Sequence, residues 1–175
     1  MIYELKRSNR KTLSIKVSAD GKITVYAPIK TSKTFIDKFV TDNSSWIENA
    51  LRKAEMRREN ARKYSIPEDR IPEFRKIAKQ YLPQRTAYWA EKMGLDYSYV
   101  HITSAEKRFG SCNAKKGICF SLRLMAYPPD VIDYVIIHEL AHLKHMNHSS
   151  QFYSLIEQYM PDYKDKVKIL HHKEQ

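Results

Sequence analysis

Apolar residues fall on every second position at Leu13, Ile15 and Val17 and again at Ile23 and Val25, with Asp20-Gly21 between the two runs. A period of two interrupted by Asp-Gly predicts a β-hairpin. Beyond Pro28 the period lengthens. Thr31-Ser32 offers an N-cap, and Phe35, Ile36, Phe39, Val40, Trp46, Ile47, Ala50, Leu51 and Ala54 follow at helical spacings, with Asn43-Ser44-Ser45 as an interruption. Trp46, like Trp89 further on, is expected in the core or a groove wall. The segment RKAEMRRENARK, residues 52–63, is charged nearly all round and predicts a solvated helix end, and Ser65-Ile66-Pro67 marks a boundary.

A second helical pattern carries Phe74, Ile77, Ala78, Tyr81 and Leu82, meets Pro83, and resumes with Tyr88, Trp89 and Met93 before Gly94. Proline inside a helix removes a donor and crowds the preceding turn, so a kink or restart is expected there. Residues 97–125 read as extended: YSYVHI, KRFGSC, a turn at Ala114-Lys115-Lys116-Gly117, and ICFSLRL with Ile118, Phe120, Leu122 and Leu124 alternating. Pro128-Pro129 then opens the most apolar helix, VIDYVIIHELAHLKHM, because proline is tolerated in a first helical turn. The sum is an α+β protein with a small sheet ending in a hairpin.

Composition narrows the class. Of 175 residues, 42% are hydrophobic and 29% charged, with four glycines and seven prolines, so disordered and collagen-like chains are excluded. No apolar run approaches a membrane span, and MIYELKRSNR lacks the apolar centre of a secretory signal, so the expected location is cytoplasmic, with no membrane partner. Cys112 and Cys119 are too few for a disulfide framework or a four-thiolate zinc site, and read as small sheet residues. The net charge of +11 is uneven: residues 1–64 hold 15 Lys/Arg against 7 Asp/Glu. Such a module attracts anions, nucleic acid among them, though the same charge also serves solubility.

The chemistry concentrates in His138-Glu139-Leu140-Ala141-His142. Four helical residues advance about 6 Å and about 400°, so His138 and His142 share a face and can grip one metal ion. Glu139, turned by about 100°, sits at the edge of that face, within reach of a metal-bound water as a base. A catalytic zinc takes three protein ligands and keeps a fourth position open. His145 and His148 are the candidates. His145 shares the face only if the helix persists, and its Cα would then lie about 10 Å along the axis from that of His138. His148 is better placed: Asn147 can take the left-handed conformation that ends a helix, and Ser149 is a good N-cap for SSQFYSLIEQYM, so the chain can turn back.

RFGSC at 108–112, the ICFSLRL strand, PPDVIDYVIIHELAHLKHMNHSSQF and YMPDYKDK resemble the YgjP-like metallopeptidase family, itself related to the SprT-like and WLM zinc peptidases. RSNRKTLSIKV, DGKITVYAP and SWI look like that family's N-terminal region. The resemblance implies a zincin-like catalytic domain over residues 65–175, preceded by a basic hairpin-plus-helix module over 1–64. It also implies Zn2+ at His138, His142 and His148, with Glu139 as catalytic base. Phe109 stands where the family usually has Trp, and the segment around 60–70 looks shortened. By similarity to the strand over the zinc cleft of zincins, Arg108, Phe109, Gly110 and Ser111 are candidate substrate-binding residues, pairing with a peptide by β-augmentation. Arg108 reads equally as an anion-binding group or as a solvated charge beside Lys107.

The leading expectation is a zinc-dependent metallopeptidase acting on proteins or peptides. Two others stand beside it: hydrolysis of a phosphorylated or nucleotide substrate at the same ion, and a nucleic-acid-associated protein in which zinc only braces the fold. His171-His172 near the C-terminus are expected to be solvent-exposed.

Overall fold

A computed structural model describes residues 1–170, and His171-His172 lie outside the described residues. The chain divides after Lys63 into two units. In the first, the expected hairpin forms from β2 (Ser14–Val17) and β3 (Ile23–Pro28), antiparallel with Ile15 opposite Val25 and Val17 opposite Ile23. Gly21 closes it with φ of +83°, a conformation that side chains rarely adopt. An additional strand, β1 (Glu4–Ser8), pairs parallel with β3, so the order is β1-β3-β2. The opening residues carry too little apolar alternation to announce it, and β3, buried between two partners, recruits it through the backbone.

Ser32 caps α1 (Lys33–Asp42) by accepting from the Phe35 amide, and Asn43 ends it before α2 (Ser44–Lys63) begins. Val25, Ala27, Ile36 and Ile47 are fully buried and form this unit's core. Phe35 and Trp46 are 58% and 52% exposed, so neither lies in the core of this unit. Each precedes a buried isoleucine by one residue, and about 100° of helical rotation turns it off the core face. Arg7, although exposed, donates to the carbonyls of Pro28, Ile29 and Thr31 at 3.1, 2.8 and 2.7 Å and thereby ties β1 to the turn before α1. Arg10 lies over the Tyr26 ring at 5.5 Å.

In the second unit α3 (Ile71–Met93) is one assigned helix through Pro83, where an interruption was expected. The carbonyl that Pro83 cannot bond belongs to Lys79, on the exposed face, where water can satisfy it. Gly94 stops the helix at φ of +62°. The sheet contains β4 (Tyr99–Thr103), β5 (Gly110–Cys112) and β6 (Gly117–Ser121) in the order β4-β6-β5, with β4 parallel and β5 antiparallel to β6. The extended reading of ICFSLRL fails after Ser121. Residues 122–126 form a 3-10 turn capped by the Ser121 hydroxyl, and this buries Leu122 and Leu124 together, which a strand also achieves but at another angle.

The apolar helix is α4 (Pro129–Ala141), followed by α5 (Ser150–Tyr159) and α6 (Tyr163–Leu170). Val131, Ile136, Ile137, Leu140 and Ala141 are buried to the last atom, in one core with Phe120, Leu124 and Phe152. A bidentate ion pair, Arg85 Nε and Nη2 to Asp133 Oδ1 and Oδ2, both 2.6 Å, joins α3 to α4. The result is mixed α+β with two small sheets and six α-helices among the described residues. No helix of the described residues is long and apolar enough to cross a membrane.

Candidate metal centre

Helix α4 ends earlier than its pattern suggests, at Ala141 rather than Met146. Burial stops there, and the amides of Leu143 and Lys144 fall back to i−3 carbonyls, Leu140 and Ala141, so the last turn tightens. His142 is the C-cap, still in right-handed helical conformation with its amide on the His138 carbonyl at 3.3 Å. The i, i+4 relation of the two histidines therefore survives the loss of the helix beyond them. Asn147 is not left-handed, since Lys116 is the sole non-glycine at positive φ among the described residues. The reversal instead runs through the 142–148 turn, and Ser149 caps α5 by accepting from the Phe152 amide at 3.4 Å.

That reversal brings three imidazoles together. One ligand nitrogen from each of His138, His142 and His148 lies within 4.8 Å of the other two, and Nε2 of His138 is 3.2 Å from Nε2 of His148. A tetrahedral ion with bonds of about 2.0–2.1 Å requires nitrogen pairs about 3.3 Å apart, so this pair already has the separation of a shared coordination sphere. His145 is not in the cluster. It serves through its backbone: its carbonyl lies 3.1 Å from Nδ1 of His142. A carbonyl can only accept, so Nδ1 carries the hydrogen and Nε2 of neutral His142 keeps its lone pair for an ion.

Tyr134, one turn before His138, places its hydroxyl 3.3 Å from Nδ1 of that ring and so orients it from behind. Burial first, then the neighbouring His142 and His148, depress the His138 pKa to about 3, and burial also lowers that of His142. The His138 ring is thus neutral at physiological pH, as a metal ligand must be. Phe152 is fully buried beneath the cluster, its ring centre 4.9, 4.6 and 4.8 Å from those of His138, His142 and His148. Sequence reading missed both Tyr134 and Phe152. The i−4 spacing of Tyr134 from His138 was a usable signal, whereas Phe152 looked like any core residue.

Glu139 is buried, at 6% exposure, on the side of α4 that faces β5. With Gly110, Ser111, Cys112 and the three histidines it borders a cavity of about 280 Å³. Of the other candidates, Arg108 is exposed. Phe109 is buried and packs edge-to-face on Tyr127 at 5.0 Å, while its carbonyl accepts from the Ser121 amide at 2.8 Å. Gly110 and Ser111 lie on β5, an edge strand with β6 as its partner. Burial, followed by Glu139, raises the Cys112 pKa, so the thiol stays protonated and is a poor ligand. Cys112 and Cys119 are both free.

Three imidazoles whose ligand atoms could hold one metal ion thus stand beside a buried carboxylate, on a mixed α+β domain. The profile of a family described as YgjP-like, metallopeptidase domain, matches residues 11–74 and 69–173. The chain belongs to that family, and a metal-dependent peptidase is what the family denotes. The crystal structure of the metallopeptidase zymogen of Pyrococcus abyssi abylysin is similar over 52% of this chain and 92% of that one, at 23% identity and a TM-score of 0.47. No curated protein matches the chain.

Proposed function

We propose that the chain is a zinc-dependent peptidase of the zincin type, built on residues 65–175, in which Nε2 atoms of His138, His142 and His148 hold the ion. The observation that carries this reading is the mutual approach of the three ligand atoms, two of them 3.2 Å apart. Three nitrogen donors suit zinc and leave one position open. When bound, zinc supplies Lewis-acid polarisation of the scissile carbonyl and makes water more acidic.

The remaining work belongs to the chain's own residues. Glu139 accepts the proton of the attacking water on a carboxylate oxygen and passes it to the departing amine nitrogen. The free edge of β5 at Gly110 and Ser111 offers backbone groups to an extended peptide, with Arg108, two residues before the strand, for a charged group.

The deciding experiment is a peptide-library digestion with zinc-loaded wild type and Glu139→Gln, alongside zinc content for wild type and the His138→Ala, His142→Ala double variant. Expected are one zinc per chain, lost in the double variant, and cleavage abolished in Glu139→Gln while its zinc remains. A wild-type protein that never takes up zinc would overturn the reading.

A further inference from the structure

A second cavity of about 500 Å³ opens beside the histidine cluster, bordered by His138 and His148 on one side and by Tyr134, Tyr153 and Tyr163 on the others. Its size is that of a ligand pocket rather than of a packing defect. Three helices build it: Tyr134 lies on α4 one turn before His138, Tyr153 on α5 one turn past the Ser149 cap, and Tyr163 opens α6 with Val167 one turn later. The rings lie in near-parallel planes, Tyr134 to Tyr163 at 6.3 Å and 13°, Tyr153 to Tyr163 at 5.9 Å and 18°, and His148 to Tyr153 at 6.1 Å and 27°. The aromatic wall therefore begins at one of the candidate ligands.

Its charge is one-sided. Lys164 and Lys168 border the cavity, and no carboxylate does among the described residues. Lys168 is engaged by Asp165 at 2.6 Å, whereas Lys164 makes no ion pair among the described residues and stands 5.7 Å from the Tyr163 ring centre. An ammonium beside an apolar, aromatic wall calls for a ligand with both characters: a ring to pack on the tyrosines and an anionic oxygen to meet Nζ.

We infer that this cavity is a specificity pocket that takes an aromatic residue of the substrate together with an adjacent carboxylate, the tyrosines selecting the ring and Lys164 the charge. The inference rests on the peptidase reading for its setting, but binding in the cavity does not need the ion. The carboxylate can be a peptide's C-terminus or an acidic side chain next to the aromatic residue.

Calorimetric titration of the full, metal-free chain with short peptides tests it. The probes are acetyl-Ala-Ala-Phe as free acid and as amide, acetyl-Ala-Ala-Ala as free acid, and acetyl-Ala-Phe-Glu as amide. The free-acid Phe peptide should bind about tenfold more tightly than its Ala counterpart. That preference should vanish in Tyr153→Ala, a substitution at a partly exposed position that the core tolerates. Preference for acid over amide marks the C-terminus as the source of charge, recovery of tight binding by the amidated Phe-Glu peptide marks a side chain, and either should be lost in Lys164→Gln. Equal binding of all four peptides, or preferences that outlast both substitutions, would overturn the pocket. Failure of the two readings is distinguishable: selective binding without any cleavage by the zinc-loaded protein removes the peptidase, while Glu139-dependent cleavage without aromatic and acidic selectivity removes the pocket.

Discussion

A β-carbon placed on Gly110 would collide with Oε1 of Glu139 and lie 2.6 Å from its Cγ. The backbone of β5 thus passes so close to the buried carboxylate that no side chain fits at residue 110 without moving it. Gly110→Ala should displace that carboxylate without touching the histidines. We expect peptide hydrolysis to fall by about 10²-fold, the scale of a misplaced catalytic group, with zinc content unchanged. Parallel metal analysis and steady-state kinetics check this, and undiminished activity would show that Glu139 adjusts freely.

Tyr134→Phe retains the ring and removes the hydroxyl that meets Nδ1 of His138. Groups behind a ligand imidazole fix its orientation, and their loss weakens metal binding by about tenfold or more. The expected outcome is a weaker zinc Kd, measured by chelator competition, with the unfolding midpoint of the metal-free protein nearly unchanged.

Acidification should destabilise the metal-free protein in a particular window. In the unfolded chain His138 takes up a proton near pH 6.5, whereas in the fold its pKa is about 3. Between these values the unfolded state binds the extra proton, so the stability present above pH 6.5 drains away as pH falls toward 3, at up to about 1.4 kcal/mol per pH unit. Denaturant titrations at several pH values should show a shallower dependence in His138→Ala than in wild type. Equal slopes would remove His138 as the responsible group.

The Arg85 and Asp133 pair is unequal in burial, with side chains 32% and 10% exposed. Removing the more exposed partner strands a buried charge, so Arg85→Met should cost more than Asp133→Asn, about 3 against about 1 kcal/mol. Urea unfolding of the two variants decides the order.

In the first unit Arg7 donates to three backbone carbonyls, all from Nη1, and so ties the fold together while remaining exposed. Arg7→Ala should lower the stability of the protein by about 1 kcal/mol. If the basic segment does bind DNA, Lys11→Ala should reduce affinity and its salt dependence without that loss.

Elements whose period matched their burial were readable in advance. The hairpin of β2 and β3, the Ser32 and Ser149 caps and the start of α4 at Pro128-Pro129 depend on local chemistry, in which a few adjacent side chains satisfy adjacent backbone groups. Features that depend on remote partners were not. Strand β1 exists because β3 accepts a second neighbour, Pro83 stays within α3 because the orphaned carbonyl faces water, and the 3-10 turn after Ser121 follows the demands of the core.

The same division runs through the site. Spacing alone puts His138 and His142 on one helical face and Glu139 at its edge, since helical geometry is nearly invariant over a single turn. Where the third imidazole lies, what stands behind the first, what floors all three and which glycine presses on the carboxylate are matters of chain reversal and packing between α4, α5 and β5. Residues distant in sequence meet there because burying Phe152 and the apolar face of α4 fixes the helices against one another, and no local pattern encodes the distances that result.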